Sequence, residues 1–448
     1  MISSVVFALF LAIAIWFFTK NVGKIARNIK LGRDIDRTDN APKRWKIMSR
    51  VALGQSKMMV RPVAGIMHIL VYVGFLIINI EVLEIVIDGL FGSHRFLHAV
   101  LGNFYFFVIN FFEVLAALVL LGVVVFLIRR VVLKLPRFWK SEMQGWPTQD
   151  ALNILFIEIV LMGAFLMMNA ADSVLMATDV EVLAQAGLSH YALNMEGGFW
   201  VSQFLGGLLP SDVSSLAMIE RTAWWFHILG ILAFLNYLPF SKHFHIILAF
   251  PNTWYSNLNA KGKFTNNEAV TKEVQLMLDP NADPFAAPAP DAVAEPQTFG
   301  ARDVKDLTWK QLMDSYTCTE CGRCTSECPA NQTGKLLSPR KIVMNVRDRL
   351  EEVGKGIDKE GEAFDDGKSL HNYITAEELW ACTSCNACVE ACPVNIDPLS
   401  VIMEMRRYLV MEKSEAPNEL NNVFTNIENN GAPWQFSQAD RFNWASEN

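Results

Sequence analysis

No cysteine of this 448-residue chain lies outside two short stretches. All eight fall in two copies of C-x-x-C-x-x-C-x-x-x-C-P. The first is Cys318, Cys321, Cys324 and Cys328, followed by Pro329; the second is Cys382, Cys385, Cys388 and Cys392, followed by Pro393. With no thiol to spare, and with the runs in a segment that the charge pattern puts in the cytoplasm, a disulfide framework is disfavoured. Zinc sites built from C-x-x-C pairs leave the third cysteine and the proline of each run unexplained. C-x-x-C-H is absent, which excludes haem bound through thioether links. No flavin fingerprint occurs either. Lys and Arg are missing altogether from the 50 or so residues between about 171 and 220. That absence bears on topology.

The spacing that is present suits two iron–sulfur cubanes. In such tandem runs three thiolates come from one run and the fourth from the other. Cys318, Cys321, Cys324 and Cys392 are expected to hold one 4Fe–4S cluster, and Cys382, Cys385, Cys388 and Cys328 the second. Two adjacent clusters carry single electrons.

Apolar residues make up 52% of the chain and mean hydropathy is +0.22, with most of the excess before residue 250. Five segments, at about 3–19, 63–87, 101–128, 152–170 and 222–250, are long enough to cross a bilayer, which takes about 20 helical residues. The first lacks preceding basic residues and a small-residue cleavage site, so it reads as a retained span. Lys and Arg crowd the loops 20–61 and 129–140. The loop 171–220 carries Asp172, Asp179, Glu181, Glu196, Asp212 and Glu220 without a basic residue. The positive-inside rule then puts the N-terminus outside, the cysteine runs inside, and the chain in the cytoplasmic membrane.

The expected fold is all-α: a five-helix transmembrane bundle over 1–255, a linker over 256–300, a helical two-cluster ferredoxin domain over 301–415, and a tail over 416–448. The Pro- and Ala-rich stretch 279–297 reads as semi-extended. Helical periodicity runs through 338–353 and 402–408, and Thr375 with Glu378 forms a capping box. The Asn-rich tail carries Phe424, Trp434, Phe436, Phe442 and Trp444, read either as loose chain or as a docking segment.

Ionisable groups inside a bilayer are costly and usually functional. His68 lies near the inner end of the second span, His227 near the outer end of the fifth, and His243 and His245 near its inner end. His227 and His245 are 18 residues apart, so on a continuous helix they share a face about 27 Å apart. That spacing suits two b haems, one per leaflet, although Pro239 between them is a site for a kink. Depth matching pairs His68 with His245 or His243, and His98 with His227; His94 and His98 read equally as an interfacial polar pair. Glu113 and Glu158 sit mid-span, either relaying protons for quinone chemistry or bonding helix to helix.

Trp224-Trp225-x-His227 followed by Leu238-Pro239-x-Ser241-Lys242-His243-x-His245 resembles the membrane cytochrome b of the nitrate reductase gamma-subunit superfamily. Closer still are the b-haem subunits of heterodisulfide reductase and sulfite reduction-associated complexes. Leu307-Thr308-Trp309-Lys310, Tyr316-x-Cys318-Thr319-x-Cys321-Gly322-Arg323-Cys324, Pro329-Ala330-Asn331 and Gly334-Lys335-x-Leu337-Ser338-Pro339-Arg340 resemble the iron–sulfur part of that group. Electron-transfer-flavoprotein:menaquinone oxidoreductases have a similar fused layout.

The resemblance implies an oxidoreductase subunit passing electrons between a quinone (menaquinone) pool, one or two b haems, two 4Fe–4S clusters and a cytoplasmic redox partner. Two features depart from the pattern. The second span has His68 but an apolar residue near Ile78, where relatives carry a second histidine. The cysteine-rich CCG repeats of many relatives are also absent. Substrate chemistry is therefore expected on a separate chain, a cysteine-repeat iron–sulfur protein or a flavoprotein; membrane lipid is the other partner, and nucleic acid is not one. The competing expectations are a haem-free membrane anchor with a ferredoxin docking module, and an ion-pumping subunit resting on Glu113 and Glu158.

Overall fold

The computed structural model describes residues 2–193, 198–280 and 299–446. It is 72% helical with no strand among the described residues, an all-α membrane protein with five helices long and apolar enough to span a bilayer. We label them α1 (Ile2–Ile29), α2 (Pro62–Phe91), α3 (Phe104–Val131), α4 (Trp146–Met176) and α5 (Val213–Tyr237). Their starts follow local chemistry. Pro62 opens α2 at a position whose N–H has no helical partner anyway, and Asp212 caps α5 by accepting from the Ser215 N–H at 2.9 Å. Gly92, at φ 72°, ends α2.

α2 packs on α3, α3 on α4, and α4 on α5, while α1 lies against α2 and α5. The shared core contains Phe7, Ile109, Phe165 and Ile228. Close approach is set by missing side chains: a Cβ on Gly230 of α5 would sit 2.5 Å from Leu161 Cδ2 of α4. Apolar side chains such as Leu83, Phe107 and Phe156 point outward, as a lipid-facing surface requires.

The fifth span does not continue to residue 250. Pro239 lacks an N–H and cannot continue the helical ladder, so α5 stops at Tyr237 and Leu238–Phe240 tightens into a 3₁₀ turn. Ser241 is extended (φ −121°, ψ 150°), and α6 (His245–Trp254) starts afresh. Asp150 of α4 holds the break, accepting from Tyr237 Oη at 2.6 Å and from the Lys242 N–H at 3.1 Å. The expected common face for His227 and His245 therefore does not form.

Beyond the membrane helices lie α7 (Trp309–Thr317), α8 (Pro339–Glu360) and α9 (Pro398–Met411). Ser338 caps α8, and the Thr375–Glu378 capping box is present. One apolar core runs from Ile25, Leu238, Phe244 and Leu248 into Leu312, Ile342, Leu350 and Met405. The two halves are thus welded rather than strung together. At the end of α1, Asn28 donates to Tyr316 Oη at 2.8 Å, and Arg27 Nη2 donates to the Gly354 carbonyl at 2.9 Å.

Two boundary expectations change. Within the expected 256–300 linker, Glu268–Leu278 is helical. The tail forms a helix over Asn418–Asn430, stopped by Gly431 in the left-handed region. Burial does not drive either helix, because Val270, Val274, Leu276, Met277 and Leu278 of the first are exposed and the second buries no residue. Most of the Pro- and Ala-rich stretch, 281–297, lies outside the described residues.

Candidate redox site

Each cysteine run folds by the same local rule. Glu320 (φ 54°) and Ser384 (φ 57°) both adopt the left-handed conformation, and their N–H groups donate to Cys318 Sγ and Cys382 Sγ, both at 3.4 Å. Gly322 (φ 70°) and Asn386 (φ 60°) then open the short helices Arg323–Ser326 and Ala387–Ala391. These two helices pack on each other, which crosses the runs. A small cavity is lined by Cys318, Cys321, Cys324 and Cys392, with Val343, Val394 and Ile396 as apolar walls. Cys382 and Cys328 lie close enough to Cys388 to act on its thiol electrostatically.

Burial pushes the Cys318 thiol up to about 12 and that of Cys392 up to about 11. Thiolates there need metal charge beside them, since a coordinating metal deprotonates its thiol ligand outright. The donor set is soft sulfur, and N–H groups stand behind it: besides the two above, the Ile396 N–H meets Cys392 Sγ at 3.3 Å.

The first cavity abuts the membrane helices. Ala249 of α6 packs against the buried cluster that Cys318 and Cys392 form with Val343, Val394 and Ile396, and Asn252 of α6 donates to the Val394 carbonyl at 2.9 Å. Arg323 Nη1 donates to the Lys57 carbonyl at 2.9 Å, and Lys57 Nζ donates to the Cys392 carbonyl at 3.2 Å. Buried Arg340 reaches the Arg137 carbonyl and Glu142 Oε1, both at 2.7 Å. Glu320, inside the first run, accepts from Arg347 Nη1 at 2.8 Å and from Lys242 Nζ. Burial raises the Glu320 carboxyl, but Lys242 and Arg347 outweigh it and leave it below its ordinary value. At the second run Cys385 is exposed, and Arg406 stacks on Trp380 while donating to the Cys382 carbonyl at 2.5 Å.

The break after α5 turns His245 toward α2. Its ring centre is 6.4 Å from that of His68 and 5.6 Å from that of His243. His245 Nδ1 meets the Lys242 carbonyl at 3.0 Å, which commits that nitrogen as donor and leaves Nε2 as the ligating atom. Buried His68 Nδ1 has no hydrogen-bond partner, so His68 and His245 are the ring pair that could hold a metal centre between them. His243 faces Glu158 at 3.7 Å instead.

His98 and His227 are not brought into ring contact. His98 lies against Tyr105 and Phe106, and His227 against Phe165, with Nδ1 at 2.9 Å from the Leu161 carbonyl. Glu113 accepts from Asn169 Nδ2 at 3.1 Å and from the Val201 N–H at 2.9 Å, so it ties α3 to α4 and the following loop. Sequence reasoning passed over Glu320 and Asn28, and named Arg340 only as part of a motif, without a role. Their only signal was charge or amide inside otherwise ordinary stretches, and their partners lie far away in the chain.

Fold and site together define a membrane iron–sulfur protein with a helical two-cluster domain. A 4Fe-4S dicluster domain matches residues 317–396. The chain is 28% identical over 481 aligned residues, 99% of its length and 61% of the relative's, to a probable iron-sulfur-binding oxidoreductase FadF of Bacillus subtilis. It is 28% identical over 469 residues, 100% of the chain and 58% of the relative, to an EtfAB:quinone oxidoreductase of Syntrophomonas wolfei. Over 101 residues, 22% of the chain and 49% of the relative, it is 33% identical to one component of a ferredoxin/F(420)H(2)-dependent CoB-CoM heterodisulfide reductase of Methanosarcina acetivorans. The chain thus spans about three-fifths of the length of the first two relatives. No solved structure matches it.

Proposed function

We propose that this chain is a cytoplasmic-membrane electron-transfer subunit linking the quinone pool to a cytoplasmic redox partner. The transmembrane part would comprise residues 1–255 and the two-cluster domain residues 301–415. Cys318, Cys321, Cys324 and Cys392 would hold a 4Fe–4S cluster next to the membrane, and Cys382, Cys385, Cys388 and Cys328 a second one nearer solvent. His68 and His245 would hold a b haem, and His227 is the candidate for another, with His98 as the partner that depth matching suggests. When bound, these groups supply one-electron transfer.

The observation that carries this reading is the cavity walled by four cysteines from both runs and packed against the helix that bears His245. The chain's own residues do the rest. Backbone N–H groups of Glu320, Ser384 and Ile396 stabilise negative charge on ligand sulfurs. Lys57, Arg323 and Arg340 fix the cluster fold to the membrane loops, so the separation between the two halves stays constant. Exposed Cys385 marks where a partner would dock. Similarity to a protein named EtfAB:quinone oxidoreductase supports a quinone, menaquinone by the layout it resembles, and a flavoprotein partner; a cysteine-repeat iron–sulfur protein is the other candidate. The basic inner loops support an outside N-terminus and a cytoplasmic cluster domain.

The test is metal and haem analysis of anaerobically purified protein. It should contain about eight irons with matching sulfide and show a reduced b-type spectrum. His68→Ala and His245→Ala should lose haem absorbance while keeping iron and sulfide. Unchanged haem in both variants would refute the ligand pair. Absence of haem from the parent would leave an anchor with a ferredoxin module.

A further inference from the structure

The end of the bundle opposite the cluster domain holds an arrangement that electron transfer does not use. Arg95, in the loop after α2, folds down among the helices. It donates from Nε to Asp172 Oδ2 at 2.9 Å and from Nη2 to Asn169 Oδ1 at 2.6 Å. Neighbouring carboxylates each have donors. Glu84 accepts from the Leu97 N–H and Tyr105 Oη, both at 2.9 Å; Asp88 accepts from the Arg95 N–H at 2.9 Å; Glu113 is held as described. Glu81 differs. It is 1% exposed, neither carboxyl oxygen has a hydrogen-bond partner, and its nearest cation, Arg95 Nη1, stands 3.9 Å away.

An ionised carboxylate buried without donors costs several kcal/mol. The Arg95 guanidinium is already engaged by Asp172, and the carboxyls of Glu84 and Glu113 stand close by on α2 and α3. Glu81 is therefore the carboxyl that keeps its proton. A route to it also exists. His94 Nε2 faces Asp172 Oδ1 at 3.3 Å, and both atoms are buried with no other hydrogen-bond partner. The His94 ring centre is 5.7 Å from that of His190, which is exposed.

We propose that Glu81 is a proton-binding site, reached from the face opposite the cluster domain by way of His190, His94 and Asp172. Release breaks the Glu81 O–H bond, and the freed carboxylate closes on Arg95. The proton crosses by water to the Asp172–His94 pair and leaves through His190. One positive charge moves and no electron does. Arg95 keeps its own protons throughout. Use of this site for quinone protons rests on the function proposed above; the site itself does not.

Infrared spectroscopy of the full chain in lipid nanodiscs tests it, with transfer from H₂O to D₂O as the probe. The parent-minus-Glu81→Gln difference spectrum should show a protonated-carboxyl carbonyl band, since subtraction removes the other buried carboxyls. In His94→Gln, which leaves the buried carboxyls intact, that component should persist but shift in D₂O several-fold more slowly than in the parent. A difference spectrum without a carbonyl band would overturn the site, and equal exchange rates in His94→Gln and the parent would overturn the route. Neither readout needs haem or quinone, so failure of the functional reading would show separately, in the cofactor analysis.

Discussion

Replacing Lys242 by alanine removes one of two cations holding Glu320 at the seam between the membrane helices and the first cysteine run. Lys242 Nζ also donates to the Pro147 carbonyl at 2.6 Å, and the paired side chains are 8% and 2% exposed. Breaking a buried pair by removing one partner costs about 3–5 kcal/mol. Arg347 remains 2.8 Å from the other Glu320 oxygen, which puts the expected cost near the lower end, about 3 kcal/mol. If the seam opens before the clusters are lost, that cost speeds cluster bleaching on the order of a hundred-fold. The assay is the decay of iron–sulfur absorbance in mild denaturant under anaerobic conditions. The double variant Lys242→Met/Glu320→Gln removes both charges and should return to within about 1–2 kcal/mol of the parent, because Arg347 keeps Asp348 at 3.1 Å. A double variant that bleaches as fast as Lys242→Ala would refute the electrostatic account and leave side-chain packing as the cause.

Cys328→Ser should disturb the cluster bound mainly by the second run, and Cys392→Ser the one bound mainly by the first; electron paramagnetic resonance showing only the nearer cluster altered would reject the crossed pairing. Arg349 grips Asp366 through two hydrogen bonds of 2.7 and 2.8 Å and holds its carboxyl at about 2, against an ordinary 3.8. Since that value is depressed, the contribution is present above about 4 and is lost as pH falls through about 2. The stability gap between parent and Asp366→Asn, followed by circular dichroism, should therefore close over that window. A Cβ on Gly354 would lie 2.5 Å from the Asn28 amide, so Gly354→Ala should cost about 1–3 kcal/mol and raise hydrogen exchange at the end of α1. Unchanged exchange over residues 24–29 would show that α1 does not depend on this contact.

Sequence alone was enough wherever the chemistry is local. Cysteine spacing groups the eight thiols into two runs, each with three cysteines within seven residues and a fourth four residues further on. Hydropathy determines five spans, and the Thr375–Glu378 pair determines a cap, each within a few residues of the signal that encodes it. Tertiary structure decided what depends on directions accumulated along the chain. Reading 222–250 as one helix put His227 and His245 on one face; the Pro239 break, held open by Asp150 from another helix, turned His245 toward His68 instead. Glu113 became a tie between helices only because Asn169 and the loop at 201–202 come to meet it. Glu81 stands apart from Glu84 only because the Tyr105 hydroxyl and the Leu97 N–H reach one and not the other. Donors and acceptors tens of residues apart leave no periodicity behind, so packing alone sets which of them meet.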